Sequence, residues 1–218
     1  MKFDVLTLFP ELITDFFKSG IPSKALEKKL ATVRAINIRD YADKKHKIVD
    51  DTPFGGGPGM VMKIEPIYRA VLLLQAEAKQ LNEKLKSKII VTSVRGKKFN
   101  HKKAKEYAKL DQLIFICGRY DGIDERVTTY IADEEISVGD FVLQGGELSA
   151  LMIIEAVMRF IPGVIGNPDS PDKLLGPQYT KPAIFLPNKE VKWSVPEVLL
   201  SGDHKKIAKW RKEHGLVL

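Results

Sequence analysis

Cysteine is nearly missing from this chain of 218 residues, which holds one, Cys117. A lone thiol excludes an internal disulfide and a thiolate metal cluster. Histidine is almost as scarce, and His46, His101, His204 and His214 stand at no metal-ligand spacing. No apolar run is long and clean enough to span a membrane, because the longest, Leu148 to Ile165, is interrupted by Glu155, Arg159 and Pro162. Asp4, Pro10 and Glu11 break up the apolar N-terminus, so no secretory signal is expected. These absences predict a cytoplasmic chain with no membrane partner. Two nucleotide-binding signatures are absent as well. Gly55 to Met60, GGGPGM, lacks the Gly-Lys-Ser/Thr ending of a phosphate loop, and no Gly-x-Gly-x-x-Gly follows a strand. No internal repeat is visible.

What is present is an ordinary globular composition, 44% apolar and 29% charged, long enough for one sizeable core and a small appendage. Positive charge prevails, 35 Lys and Arg against 28 Asp and Glu, for a net charge of +7. The surplus favours polyanionic partners, and it is concentrated in DKKHK (Asp43 to Lys47) and HKKIAKWRKEH (His204 to His214).

Apolar periodicity and turn residues predict alternating strands and helices, hence a mostly parallel α/β sheet. Strands are expected at Phe3 to Phe9, Thr32 to Arg39, Ile89 to Thr92, Leu113 to Cys117 and Glu135 to Val138. Helices are expected from Pro10 to Phe17, closed by Gly20, and from Lys24 to Leu30, capped by Ser23. Others are expected at Ile64 to Leu85, His101 to Leu110, Asp124 to Ile131 and Glu147 to Phe160. The last is apolar on almost every face, which predicts burial in the core or against a second subunit, with Glu155 and Arg159 as an internal i, i+4 ion pair. Asp40 to Lys63 reads as one irregular stretch. Prolines and glycines from Ile161 to Pro187 read as a linker, followed by a helical piece.

The stretch Cys117 to Glu147 carries the densest signal. A buried strand ends at Gly118 in a charged loop, and a second ends at Gly139, ahead of Gly145, Gly146 and the apolar helix. Glycine-marked loops at the ends of neighbouring strands predict a pocket lined mostly by main chain. The charged residues from Arg119 to Arg126 read equally as a solvated helix start with local ion pairs.

Seven segments together resemble one family, the bacterial tRNA (guanine-N1)-methyltransferases of the SPOUT class. They are LFPE (8–11), VDDTPFGGGPGM (49–60), CGRYDGIDERV (117–127), SVGDFVLQGGEL (137–148), RFIPGVIGN (159–167), PQYTKP (177–182) and LLSGDHKKIAKWR (199–211). The resemblance implies an α/β fold with a SPOUT-type parallel sheet and a deep trefoil knot, plus a small C-terminal helical domain. It implies a knotted catalytic domain over 1–161, a linker or lid over 162–187 and a tRNA-binding domain over 188–218. It also implies a homodimer with active sites at the subunit interface, S-adenosylmethionine as methyl donor, tRNA as partner, and magnesium as a candidate cofactor. The implied activity is methylation of N1 of the guanine immediately 3′ of the tRNA anticodon.

By the same resemblance the cofactor is held by Thr92, Ser93 and Val94, by Gly118, Tyr120 and Asp121, and by Ser137, Val138, Gly139, Leu143, Gly145 and Gly146. Asp50, Gly55, Gly56, Gly57 and Gly59 would form the guanine pocket, while His204, Lys205, Trp210 and Arg211 would hold the tRNA. Guanine N1 carries a proton at neutral pH, so methyl transfer needs a base near N1 and a cation near O6, where negative charge accumulates. The resemblance gives the cationic role to Arg159 and the basic role to a linker aspartate, either Asp169 or Asp172. Against the family pattern, the linker GNPDSPDKLLGPQYT is short, Asp121 stands where glutamate is usual, Val94-Arg95 replaces a Pro-Gln pair, and the C-terminal domain ends early. A rival reading is therefore a catalytically weakened knotted RNA-binding protein, and a second is a methyltransferase of the same class acting on another nucleotide.

Overall fold

In a computed structural model the described residues are 1–43, 46–166 and 176–215. The chain forms two compact units, Met1–Pro168 and Asp169–Leu218.

The first unit begins with β1 (Lys2–Thr7), α1 (Pro10–Phe16), α2 (Gly20–Glu27) and β2 (Thr32–Asn37), followed by a single 3-10 turn, Ile38–Tyr41. Next come β3 (Asp50–Asp51) and β4 (Val61–Met62), an antiparallel pair, and the long α3 (Ile64–Leu81). The remainder is β5 (Ser87–Lys98), α4 (His101–Tyr107), β6 (Gln112–Cys117), α5 (Glu125–Tyr130), β7 (Glu134–Ser137) and α6 (Glu147–Met158). Five strands form a wholly parallel sheet in the order β2-β1-β6-β5-β7.

All six residues of β6, QLIFIC, are buried, as the centre of a parallel sheet requires, since both of its faces are covered by helices. Its side chains alternate between two apolar layers. Leu113, Phe115 and Cys117 join Ile13 of α1, Tyr107 of α4 and Ile154 of α6 on one face. Ile114 and Ile116 join Ile67, Val71 and Leu74 of α3 and Val127 of α5 on the other. Burial of each such Phe, Leu or Ile contributes about 1.5–3 kcal/mol, so the central strand anchors the loop that follows it.

Several expectations need correction. Gly20, at φ +74°, opens α2 instead of closing α1, and Ser23 lies inside that helix, donating to Glu27 Oε1 at 3.0 Å. Strand β5 does not stop at Thr92. It bulges between Thr92 and Lys97 and resumes pairing with β7 through Lys97↔Ile136 and Lys98↔Ser137. At the bulge a Cβ on Gly96 would stand 2.4 Å from the Ile136 nitrogen, so only glycine admits this backbone approach. The irregular stretch 40–63 contains the β3–β4 hairpin. Of the two expected settings for helix α6, this chain alone covers part of its surface: Leu148 and Met152 are half exposed, and Glu155 and Arg159 beyond them are exposed. Among the described residues no ion pair joins Glu155 to Arg159.

In the second unit β8 (Ile184–Phe185) pairs antiparallel with β9 (Trp193–Ser194), placing a strand inside the stretch read as linker. Helices α7 (Glu197–Leu200) and α8 (His204–His214) follow. Asp203 caps α8, its carboxylate accepting from the Lys205 and Lys206 amides at 3.0 and 3.1 Å. That satisfies two of the amides every helix start leaves open.

Candidate active site

The bulge of β5 and the C-terminal ends of β6 and β7 open into a cleft of about 210 Å³. Three loops line it. Thr92, Ser93 and Val94 come from β5; Gly118, Tyr120 and Asp121 follow β6; Ser137, Val138, Gly139, Leu143, Gly145 and Gly146 lie between β7 and α6. The structure thus brings together all twelve residues expected at a cofactor.

The walls are fastened to one another at main-chain distance. The Gly146 amide donates to the Gly118 carbonyl at 2.9 Å, and the Thr92 hydroxyl donates to the Gly146 carbonyl at 3.3 Å. A Cβ on Gly146 would stand 2.1 Å from Thr92 Oγ1 and 2.8 Å from the Cys117 Cα; one on Gly139 would stand 2.3 Å from the Phe141 ring. Gly146 is therefore imposed by close packing of the walls, whereas a side chain at Gly139 would displace the exposed Phe141 ring of the same loop. Ser137 closes its own turn, its hydroxyl donating to the Gly139 carbonyl at 2.9 Å.

A carboxylate that the sequence reading passed over stands behind the cleft. Glu147, 1% exposed, begins α6 and accepts from the Thr7 hydroxyl at 2.7 Å and from Arg119 Nε at 3.0 Å. The helix N-terminus adds favourable field for that charge. Arg119 also lies over the Phe9 ring, 4.4 Å from its centroid, and lines the cleft. Thus Arg119 is not part of a solvated helix start. The available signal was a charged residue directly after Gly145-Gly146, at the head of an otherwise apolar helix. Cys117 is buried beneath this wall. Burial pushes its thiol pKa well up and Glu147 adds to the effect, so it is unsuited to act as a thiolate.

The glycine-rich loop between β3 and β4 is attached to the same rim. Asp121 donates its amide to the Met60 carbonyl at 3.0 Å, and its carboxylate accepts the Met60 amide at 3.1 Å. Met62 extends the contact, its amide donating to the Gly122 carbonyl at 2.9 Å. Asp50 lies in β3 at the base of this loop, while Gly55, Gly56, Gly57 and Gly59 all have positive φ. Tyr120, itself at φ +58°, presents its hydroxyl to Arg39 Nη2 at 3.3 Å.

Arg159 is elsewhere. It caps the C-terminus of α6, whose N-terminus forms the cleft wall, and thirteen residues of helical rise separate it from Gly146 by about 20 Å. Asp169 and Asp172 lie outside the described residues. His204, Lys205, Trp210 and Arg211 belong to α8 in the second unit, where Trp210 stacks on His214 with ring centroids 4.3 Å apart. Among the described residues no group of three or more His, Cys, Asp or Glu side chains could hold a metal ion, and no helix is long and apolar enough to cross a membrane.

A parallel α/β sheet with a main-chain-lined cleft at its strand ends defines a class of ligand-binding α/β proteins. Comparison with known proteins makes the assignment specific. The model of the tRNA (guanine-1)-methyltransferase TrmD family matches residues 1–217, and the chain belongs to that family. Similar proteins named tRNA (guanine-N(1)-)-methyltransferase occur in Geobacter sulfurreducens, 46% identical over all of this chain and 87% of the relative, and in Carboxydothermus hydrogenoformans, 49% identical over 100% and 83%. Another, from Clostridium botulinum strain Hall, is 47% identical over 100% and 88%.

Proposed function

We propose that this protein transfers a methyl group from S-adenosylmethionine to N1 of the guanine immediately 3′ of the tRNA anticodon, in the cytoplasm. The observation that carries this reading is the cleft at the β5 bulge and the ends of β6 and β7, where closely packed glycines let the main chain form much of the lining. Family membership supplies the reaction. The cleft suits an adenosyl ligand: main-chain donors and acceptors can read a base edge, apolar Val138 and Leu143 can cover a ring, and Asp121 can face a cation. Bound there, the cofactor would supply an electrophilic methyl group.

The protein's task is then to prepare guanine N1. Asp169 or Asp172 removes the N1 proton, and Arg159 stabilises the charge that builds on O6. Asp50 and the loop Gly55 to Gly59 hold the guanine, and the basic face of α8 holds the anticodon branch through phosphates. Because Arg159 and the cleft lie at opposite ends of α6, a single chain does not assemble the site. The half-exposed Leu148 and Met152 on α6, with Glu155 and Arg159 continuing the row, support a homodimer in which each subunit completes the other's cleft. We infer also the family's deep trefoil knot, with which the insertion of β6 between β1 and β5 is compatible.

Methyl incorporation into tRNA transcripts tests the reading. Replacing that guanine by adenine should abolish incorporation, and undiminished incorporation would refute the assigned target. Calorimetric binding of S-adenosylmethionine without turnover would instead support the RNA-binding rival. Single-turnover rates of Asp169→Ala and Asp172→Ala should differ sharply, and small equal effects would mean that neither is the base.

A further inference from the structure

The loop between β3 and β4 carries a residue for which neither the fold nor the cleft has a use. Phe54, at 104% of its reference surface, is the most exposed large apolar side chain among the described residues. Its loop is held at both roots. Val49 and Met62 are fully buried, and the Lys63 amide donates to the Val49 carbonyl at 2.7 Å. Between the roots, Gly55, Gly56 and Gly57 have φ of +90°, +77° and +114°, and a Cβ on any of them would meet nothing within 4 Å. Such a run holds the ring away from the body of the protein. A benzyl group left in water forgoes burial that any core position would provide.

The placement of the loop indicates what the ring meets. Its far end is fixed to the cleft rim by the paired Met60–Asp121 hydrogen bonds, and Asp121 lines the cleft. We propose that Phe54 is a substrate-binding residue whose ring stacks on a nucleobase of the RNA as that base is drawn out of its stack toward the cleft. This rests on the proposed function above.

The chemistry favours a nucleobase over another protein surface. N1 of guanine lies on the Watson–Crick edge, so a base presented for reaction there must be unpaired and splayed out, which bares its π faces. An aromatic ring on a basic protein is the standard receiver of such a face, and the net charge here is +7. Phenylalanine has no polar group with which to read a base edge, so its contribution is affinity and placement. Choice of base is left to the main chain and to Asp50.

The test uses the full-length protein and an unmodified tRNA transcript, with affinity read by gel retardation and S-adenosylmethionine binding by calorimetry. Phe54→Ala should weaken tRNA binding about tenfold, with cofactor affinity, thermal midpoint and solution mass unchanged. Phe54→Leu, which keeps apolar bulk but has no π face, should stay weak, and Phe54→Trp should regain wild-type affinity. Undiminished binding by Phe54→Ala, or full binding by Phe54→Leu, overturns the proposal. So does a lower solution mass for Phe54→Ala, which would place the ring against a second copy of the chain. The series reads RNA affinity, not methyl transfer. A wild-type protein that binds tRNA without methylating it would therefore refute the proposed function, while the affinity series still judges Phe54.

Discussion

At Gly146 an added Cβ would stand 2.1 Å from the Thr92 hydroxyl and 2.8 Å from the Cys117 Cα, whereas at Gly56, φ +77°, it would meet no atom within 4 Å. Both residues belong to glycine-rich stretches beside the same cleft, yet the reason for glycine differs. Gly146 lacks a side chain because two walls meet at main-chain distance, and Gly145 because the Arg119 and Glu147 side chains occupy the space, with Glu147 held in turn by Thr7. Gly55 to Gly57 lack one because the backbone turns left-handed in open solvent. A wall defined by contact has one arrangement to offer a ligand. A loop defined by conformational freedom can follow a substrate that must be pulled from a larger structure.

The largest expected effect comes from removing the brace. Glu147→Ala would leave Arg119 without its buried partner and should lower stability by about 4 kcal/mol, measured by urea unfolding. Cofactor affinity should fall as well. A loss in stability with unchanged cofactor binding would mean that the wall does not depend on the brace. Next is Gly146→Ala, where the Thr92 side chain can turn aside but the Cys117 backbone cannot. About 2 kcal/mol of stability should be lost through overpacking, again with weaker cofactor binding. Gly56→Ala should cost only about 1 kcal/mol, from the left-handed backbone alone, and should leave calorimetric cofactor affinity as it was. If Gly56→Ala weakened the cofactor as much as Gly146→Ala does, the distinction between wall and loop would fail.

Much of the wall could be read from sequence because it rests on local patterns. The apolar run Leu113 to Cys117, stopped by Gly118, already says that a buried strand ends in a loop. Asp124 capping α5, its carboxylate accepting the Arg126 amide at 3.0 Å, is equally local. The contacts between distant residues could not be read in this way. Thr7 and Glu147 are 140 positions apart, and nothing near either names the other. The bulge in β5 is not legible locally because Val94, Arg95 and Gly96 have the composition of a loop, and strand pairing resumes only where β7 supplies Ile136 and Ser137. The uniform apolarity of α6 was plain, but whether its outer face meets this chain or another is not a property of the helix. In this chain Leu148 and Met152 stay half exposed.

The smallest expected effect lies at the opposite end of the sheet. Glu134 starts β7 and accepts hydrogen bonds from Lys88, Lys103 and the Tyr107 hydroxyl. Burial alone would push its carboxyl pKa up, but the bonds from Lys103, Lys88 and Tyr107 outweigh that and bring it down to about 2. A carboxyl with a depressed folded-state pKa stabilises the fold above its unfolded value, about 4.3, because the unfolded chain takes up the proton first as pH falls. The contribution should be complete above that value and be lost as pH drops toward about 2. Glu134→Gln should remove this part of the acid dependence, so the difference in urea midpoint between the two proteins should narrow from pH 5 to pH 2. Parallel midpoints across that range would refute the coupling. Cofactor affinity at neutral pH should be the same in both, because Glu135 and Ser137 of β7 line the cleft and Glu134 does not.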